Sequence, residues 1–240
     1  MTSAMTLDIL ALAAHRDDVE QTCGGTLLKM AERGRRTGIL DLTQGEMGTR
    51  GTAEDRAREA DDAARILKVA WRRALDIPDG RVENTWENRL QVARVLREQR
   101  PRVLILPYWE GRHPDHYTAS VLGYEAAFLS GLSKLPMDGA PHRPFKIIYA
   151  SLYRDVRPTF VVDISEQFET RFVSLMAYKS QFSDQQAGSG IFPAQAEIRA
   201  RVESMARFYG MMAGVTYAEP FVQKEMALVD DLIAIPVKSI

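Results

Sequence analysis

Leu7-Asp8-Ile9-Leu10-Ala11-Leu12-Ala13-Ala14, followed at once by His15-Arg16-Asp17-Asp18-Val19-Glu20, decides how this chain is read. The apolar run is short and interrupted by Asp8, so it cannot cross a bilayer and reads as a buried strand. Working outward, residues 20–34 carry apolar side chains at helical spacing and end at Gly34, where a helix C-cap belongs. Residues 37–43 read as a second strand, 53–68 as a helix, 71–76 as a weaker strand, and 86–99 as an amphipathic helix closed by Pro101. Residues 102–107 (RVLILP) form the clearest strand in the chain. Strands alternating with helices imply βαβ units, right-handed crossovers and a mostly parallel sheet covered on both faces. Ligands of such sheets bind beyond the carboxyl ends of the strands.

The second half is less regular. A helix is expected over 115–130, and a loop over 131–145, which holds Gly131, Pro136, Gly139, Pro141 and Pro144. Strands are expected at 146–152 and 159–164, helices at 166–181 and 195–210, and a Gly/Ser/Gln-rich loop at 183–193. There is no repeat and no compositional break, so residues 1–240 are read as a single domain whose C-terminal third shapes the pocket.

Composition narrows the function. Lys plus Arg is 31 and Asp plus Glu is 32, for a net charge of −1. No basic excess points to nucleic acid. The single cysteine, Cys23, excludes an intramolecular disulfide and reads as a small buried residue. No signal peptide or anchor is expected, and the composition suits the cytoplasm. No G-x-G-x-x-G or P-loop pattern supports a nucleotide cofactor.

The chain has only four histidines, and three fall in two compact polar clusters. The first is His15-Arg16-Asp17-Asp18 after the first strand; the second is Arg112-His113-Pro114-Asp115-His116 after strand 102–107. Alone, Asp17 or Asp18 would read as an N-cap for helix 20–34. Together the clusters meet the demand of a catalytic zinc, which takes three His or carboxylate ligands and keeps a position open for water. His15, Asp18 and His116 supply two imidazoles and a carboxylate. Asp17 is placed to act as base on a water whose pKa zinc lowers towards about 7. His113, as an imidazolium, would stabilise an oxyanion or protonate a leaving amine, with Asp115 orienting its ring. Fe2+, Mn2+ or Co2+ suit the same ligands.

These residues resemble the LmbE-like (PIG-L) superfamily of zinc-dependent N-deacetylases. The likeness extends through the loop Asp41–Thr52, and through Tyr178–Phe182 and Gly214–Phe221, to the bacillithiol-pathway branch that contains the N-acetylglucosaminyl-malate deacetylases. The resemblance covers roughly residues 7–225 and implies a Rossmann-like three-layer αβα fold with its site at the C-terminal strand ends. It implies His15, Asp18 and His116 as zinc ligands, Asp17 as general base, His113 as oxyanion stabiliser and Asp115 as its carboxylate neighbour. It also implies a cytoplasmic homo-oligomer, in some relatives a hexamer. Arg16 departs from the proline common at this position, which would stiffen the turn.

A malyl aglycone has two carboxylates, and guanidinium forks recognise carboxylates bidentately. Arg56 and Arg112, with Arg50 close by, are the candidate substrate arginines; Glu46 and Met47 are candidates for the sugar site. Arg33, Arg35, Arg36, Arg72, Arg73 and Arg94 read as surface charge. Tyr217 is a further residue that could reach the pocket. The expected activity is hydrolysis of the acetyl amide of an N-acetylglucosamine glycoside, N-acetylglucosaminyl malate first. An inositol glycoside, a chitobiose-type sugar, an antibiotic intermediate or a non-catalytic metal-binding role are the alternatives.

Overall fold

The computed structural model describes residues 6–152, 154–183 and 193–237. In chain order the elements are β1 (Ile9–Ala13), α1 (Asp18–Thr22), α2 (Gly24–Glu32), β2 (Thr37–Asp41), α3 (Ala53–Ile66), β3 (Trp71–Ala74), α4 (Trp86–Gln99), β4 (Val103–Pro107), α5 (Pro114–Ser130), β5 (Lys146–Ala150), β6 (Phe160–Asp163), α6 (Phe168–Met176), α7 (Lys179–Phe182), α8 (Gln195–Ala213) and β7 (Ala218–Val222). Seven strands make one sheet in the order β3-β2-β1-β4-β5-β7-β6. The first five are parallel, and β7 runs antiparallel to both β5 and β6.

The strand order follows from the sequence pattern. From β1 the chain moves outward through β2 to β3, then returns to pair β4 on the other side of β1. The connections leave β1 and β4 in opposite directions, which opens a crevice at their carboxyl ends. Side chains of β1 alternate: Leu10 and Leu12 join the core beneath α4 and α5, while Ile9, Ala11 and Ala13 join the core beneath α1 and α2. Both faces of the sheet are therefore covered, giving the three-layer α/β arrangement expected. Among the described residues, no helix is long and apolar enough to cross a membrane.

Three elements depart from expectation. The helix expected over 20–34 is two helices, broken at Cys23. Glu219 causes the break: its carboxylate accepts from the amides of Gly25 (2.9 Å) and Thr26 (2.7 Å), restarting the helix as an N-terminal cap. A Cβ at Gly25 would lie 2.9 Å from Ile164 Cδ1, so the Gly24-Gly25 pair is a close packing contact. The helix expected over 166–181 is interrupted at Ala177 and Tyr178. The strand β7 was not expected, because Glu219 and Pro220 disguise it. The loop at 183–193 lies almost wholly outside the described residues.

Candidate active site

Both polar clusters sit at the crevice between β1 and β4. The first begins two residues past Ala13; the second begins at the N-cap of α5, where Pro114 occupies the first helical turn. Neither Asp17 nor Asp18 makes a side-chain cap bond, so the capping alternative does not account for them. Asp18 instead accepts the backbone amide of His15 at 2.9 Å.

His15 Nδ1 lies 3.2 Å from His116 Nε2 and 3.5 Å from an Asp18 oxygen; His116 Nε2 lies 3.2 Å from the other Asp18 oxygen. Three donors on a tetrahedral zinc, each about 2.0–2.1 Å from it, are separated by about 3.3 Å. Asp18 meets the two rings through different oxygens, and each of the three pairwise spacings is close to the edge of that tetrahedron. Its charge fits as well. Burial opposes protonation of His15, but Asp18, then Asp115 and Asp79, outweigh it and hold the imidazolium pushed up to about 12. The carboxyl of Asp18, despite its burial, is held well below the usual range by His116 and His15. A cluster that favours positive charge this strongly is suited to a divalent cation.

The other face of His15 is gripped from outside. Its Nε2 lies 3.1 Å from Asp79 and 3.3 Å from Asp115. Asp115 is itself fixed by the amides of Gly80 (2.8 Å) and Val82 (3.2 Å). Asp79 accepts the amide of Met47 at 3.0 Å, and its own amide donates to Glu46 at 2.8 Å. Sequence reasoning missed Asp79. The only signal was a carboxylate in a Pro-Asp-Gly turn after a weak strand.

The geometry revises two expectations. The Asp115 carboxylate faces His15, not His113; what reaches His113 is the Asp115 backbone amide, which donates to Nδ1 at 3.2 Å. That bond places the proton of a neutral His113 on Nε2. Burial, with the His15 and His116 rings beside it, pushes the His113 pKa down. The ring, 4.7 Å from His15 and 5.0 Å from His116 between centroids, therefore presents a neutral N–H donor rather than the expected imidazolium.

Asp17 is held by Arg56, whose guanidinium donates to Oδ1 at 3.0 Å and to the Gly45 carbonyl at 3.3 Å. Arg56 is buried, and a Cβ at Gly45 would collide with its guanidinium, so this loop position requires glycine. Arg50 donates to the Gln181 carbonyl at 3.2 Å, pinning the loop to α7. Arg112 is exposed directly before His113, and Met47 is exposed near Asp79. Arg16 is buried and binds the Ala53 carbonyl at 2.7 Å and the Gln44 side chain, bracing the turn that a proline would stiffen.

Arg72 is not a surface charge. It lies between Asp41 (2.8 and 3.0 Å) and Glu20 (2.7 Å) with its side chain 6% exposed, and it also donates to the Arg16 carbonyl. Tyr178 donates to the same carbonyl and to Glu20 at 3.1 Å. These groups anchor the segment bearing the first cluster from beneath. Tyr217 lies elsewhere, stacked on Phe168 and bonded to Glu203 and Arg207.

Comparison with known proteins then gives the family. Residues 10–127 match the family model described as PIG-L: GlcNAc-PI de-N-acetylase. A diacetylchitobiose deacetylase of Thermococcus kodakarensis is 31% identical over 224 residues, covering 88% of this chain and 80% of that protein. Among solved structures, a conserved protein of Thermus thermophilus is 39% identical with a TM-score of 0.86, covering 95% and 99% of the two chains. The N,N'-diacetylchitobiose deacetylase of Pyrococcus horikoshii is 25% identical with a TM-score of 0.78, covering 89% and 82%. The chain belongs to the PIG-L, or LmbE-like, family of de-N-acetylases.

Proposed function

We propose that this protein is a metal-dependent N-deacetylase that removes the acetyl group from an N-acetylglucosamine glycoside, with N-acetylglucosaminyl malate of the bacillithiol pathway as the leading substrate. The donor triangle of His15, Asp18 and His116, with Asp17 beside it, carries this reading. Those three residues would hold the ion, with zinc the preferred occupant of two imidazoles and a carboxylate. When bound, the ion supplies Lewis-acid polarisation of the amide carbonyl and a more acidic water.

The chain's own groups supply the rest. Asp17, fixed by Arg56, takes a proton from the attacking water as the carbon–oxygen bond forms. The Nε2–H of His113 donates to the oxygen that gains charge in the tetrahedral intermediate. The proton held by Asp17 passes to the glucosamine nitrogen as the carbon–nitrogen bond breaks, and acetate leaves. Asp79 and Asp115 keep His15 in one orientation, as carboxylates commonly do for metal-binding histidines.

Arg112, directly before His113, and Arg50, in the loop after β2, are the candidates to bind an anionic aglycone, with Glu46 and Met47 the candidates for the sugar. Arg56, committed to Asp17, acts mainly on the base. A neutral chitobiose-type substrate is the second reading, favoured by what the two related deacetylases are named for. Asp17→Asn tests the core assignment. It is expected to retain the metal and lose about 100-fold or more in turnover, on the order expected for a general base. Loss of the metal from that variant would instead make Asp17 a ligand.

A further inference from the structure

The two sides of the donor triangle differ in chemistry. One side is polar, built from Asp17, Arg56, Glu46 and Asp79. The other is a slot that Asp18 and His116 line together with Val19, Cys23, Ile105, Ala150 and Leu152. Val19, Cys23, Ile105 and Ala150 also belong to the core beneath α1 and α2, so these walls are fixed by packing, while Tyr108, Glu110, Gly111 and Leu152 close the slot from the loops after β4 and β5. A sugar is ringed with hydroxyls, and each one buried without a partner costs several kcal/mol. It belongs on the polar side. The alkyl part of an acyl group costs nothing to desolvate and belongs in the slot.

Size then sets specificity. The slot has a cavity volume of about 20 Å3. A cavity of roughly 10–15 Å3 on this scale holds one water, so the slot takes one methyl group and little more. We propose that this slot is the acyl subsite, and that Cys23 and Leu152 limit the enzyme to acetyl over longer acyl chains. The proposal rests on the N-deacetylase reading and adds which residues select the acyl group.

The test uses zinc-loaded protein and glucosaminyl malate carrying N-acetyl, N-propionyl or N-butyryl groups. One methylene in an apolar pocket discriminates by roughly 10–200-fold, so butyryl release is expected to fall about 100-fold or more below acetyl release in kcat/KM. Cys23→Ala and Leu152→Ala are expected to raise the butyryl-to-acetyl ratio by about 10-fold or more. Melting temperature with added acetate, propionate or butyrate provides a readout without turnover: acetate is expected to protect and butyrate not. Equal hydrolysis of acetyl and butyryl substrates would overturn the subsite while leaving the deacetylase reading intact. So would an unchanged ratio in variants that match the parent in metal content and melting temperature. Protection by acetate but not butyrate, without release from any glycoside, would support the subsite and count against the deacetylase reading.

Discussion

Arg72→Ala separates a surface arginine from the one the structure contains. Arg72 is the sole guanidinium bonded to both Asp41 and Glu20 among the described residues, and both carboxylates are buried. Truncation would leave two buried acids without a cation, Glu20 keeping the Tyr178 hydroxyl, and remove a donor from the Arg16 carbonyl. Breaking a buried ion pair costs about 3–5 kcal/mol, and about 2–4 °C of melting temperature follows each kcal/mol at this chain length, so a loss of about 6–20 °C is expected. A surface arginine would cost within about 0.5 kcal/mol. The deficit also depends on pH. Burial, only partly offset by Arg72, already pushes Glu20 up to about 7, and loss of the guanidinium raises it further. A carboxylate whose folded pKa is raised takes up protons on folding, so stability falls as pH rises through the interval between the unfolded and folded values. The variant is therefore expected to approach the parent at about pH 5 and to fall furthest behind at about pH 8. Thermal melts by circular dichroism across that range measure this. A deficit under about 2 °C, or one that grows towards acid, would refute the reasoning.

Other consequences concern separate parts of the molecule. Asp79→Asn is expected to weaken zinc affinity by roughly 10–100-fold, measured by competition with a chromogenic chelator, because His15 loses one of the two carboxylates that orient it. Gly25→Ala places a methyl 2.9 Å from Ile164 and 3.0 Å from the capping Glu219 oxygen, and is expected to cost about 1–3 kcal/mol in denaturant unfolding. Burial, with Glu219 nearby, pushes the Cys23 thiol well above its ordinary value, so a disulfide reagent is expected to label it only after unfolding.

Much of the site was legible because its residues are local in sequence. The strand 7–14 and the cluster after it needed only periodicity and residue type, and the second cluster followed the most apolar strand in the chain. What stayed hidden depends on long-range pairing. Arg72 stands beside Arg73 in an edge strand, and nothing local shows that its partners are Asp41 and Glu20. Asp79 is one carboxylate in a turn, and only the fold brings it to His15. Glu219 and Pro220 look unlike a strand, yet Glu219 caps α2 from across the sheet while paired with Arg171 at 3.1 Å. Helix-breaking at Cys23 has the same origin, since no local signal competes with a cap supplied by β7.

Acetate release from N-acetylglucosaminyl malate by zinc-loaded protein, beside diacetylchitobiose and an N-acetylglucosaminyl inositol and with a chelator control, tests the central claim most directly. The predicted result is chelator-sensitive release, restored by zinc and fastest for the malyl glycoside. Turnover confined to a neutral sugar would remove the anionic aglycone and the roles of Arg50 and Arg112. Release that persists at full rate in chelator, from protein shown to contain no metal, would contradict the metal-dependent mechanism itself.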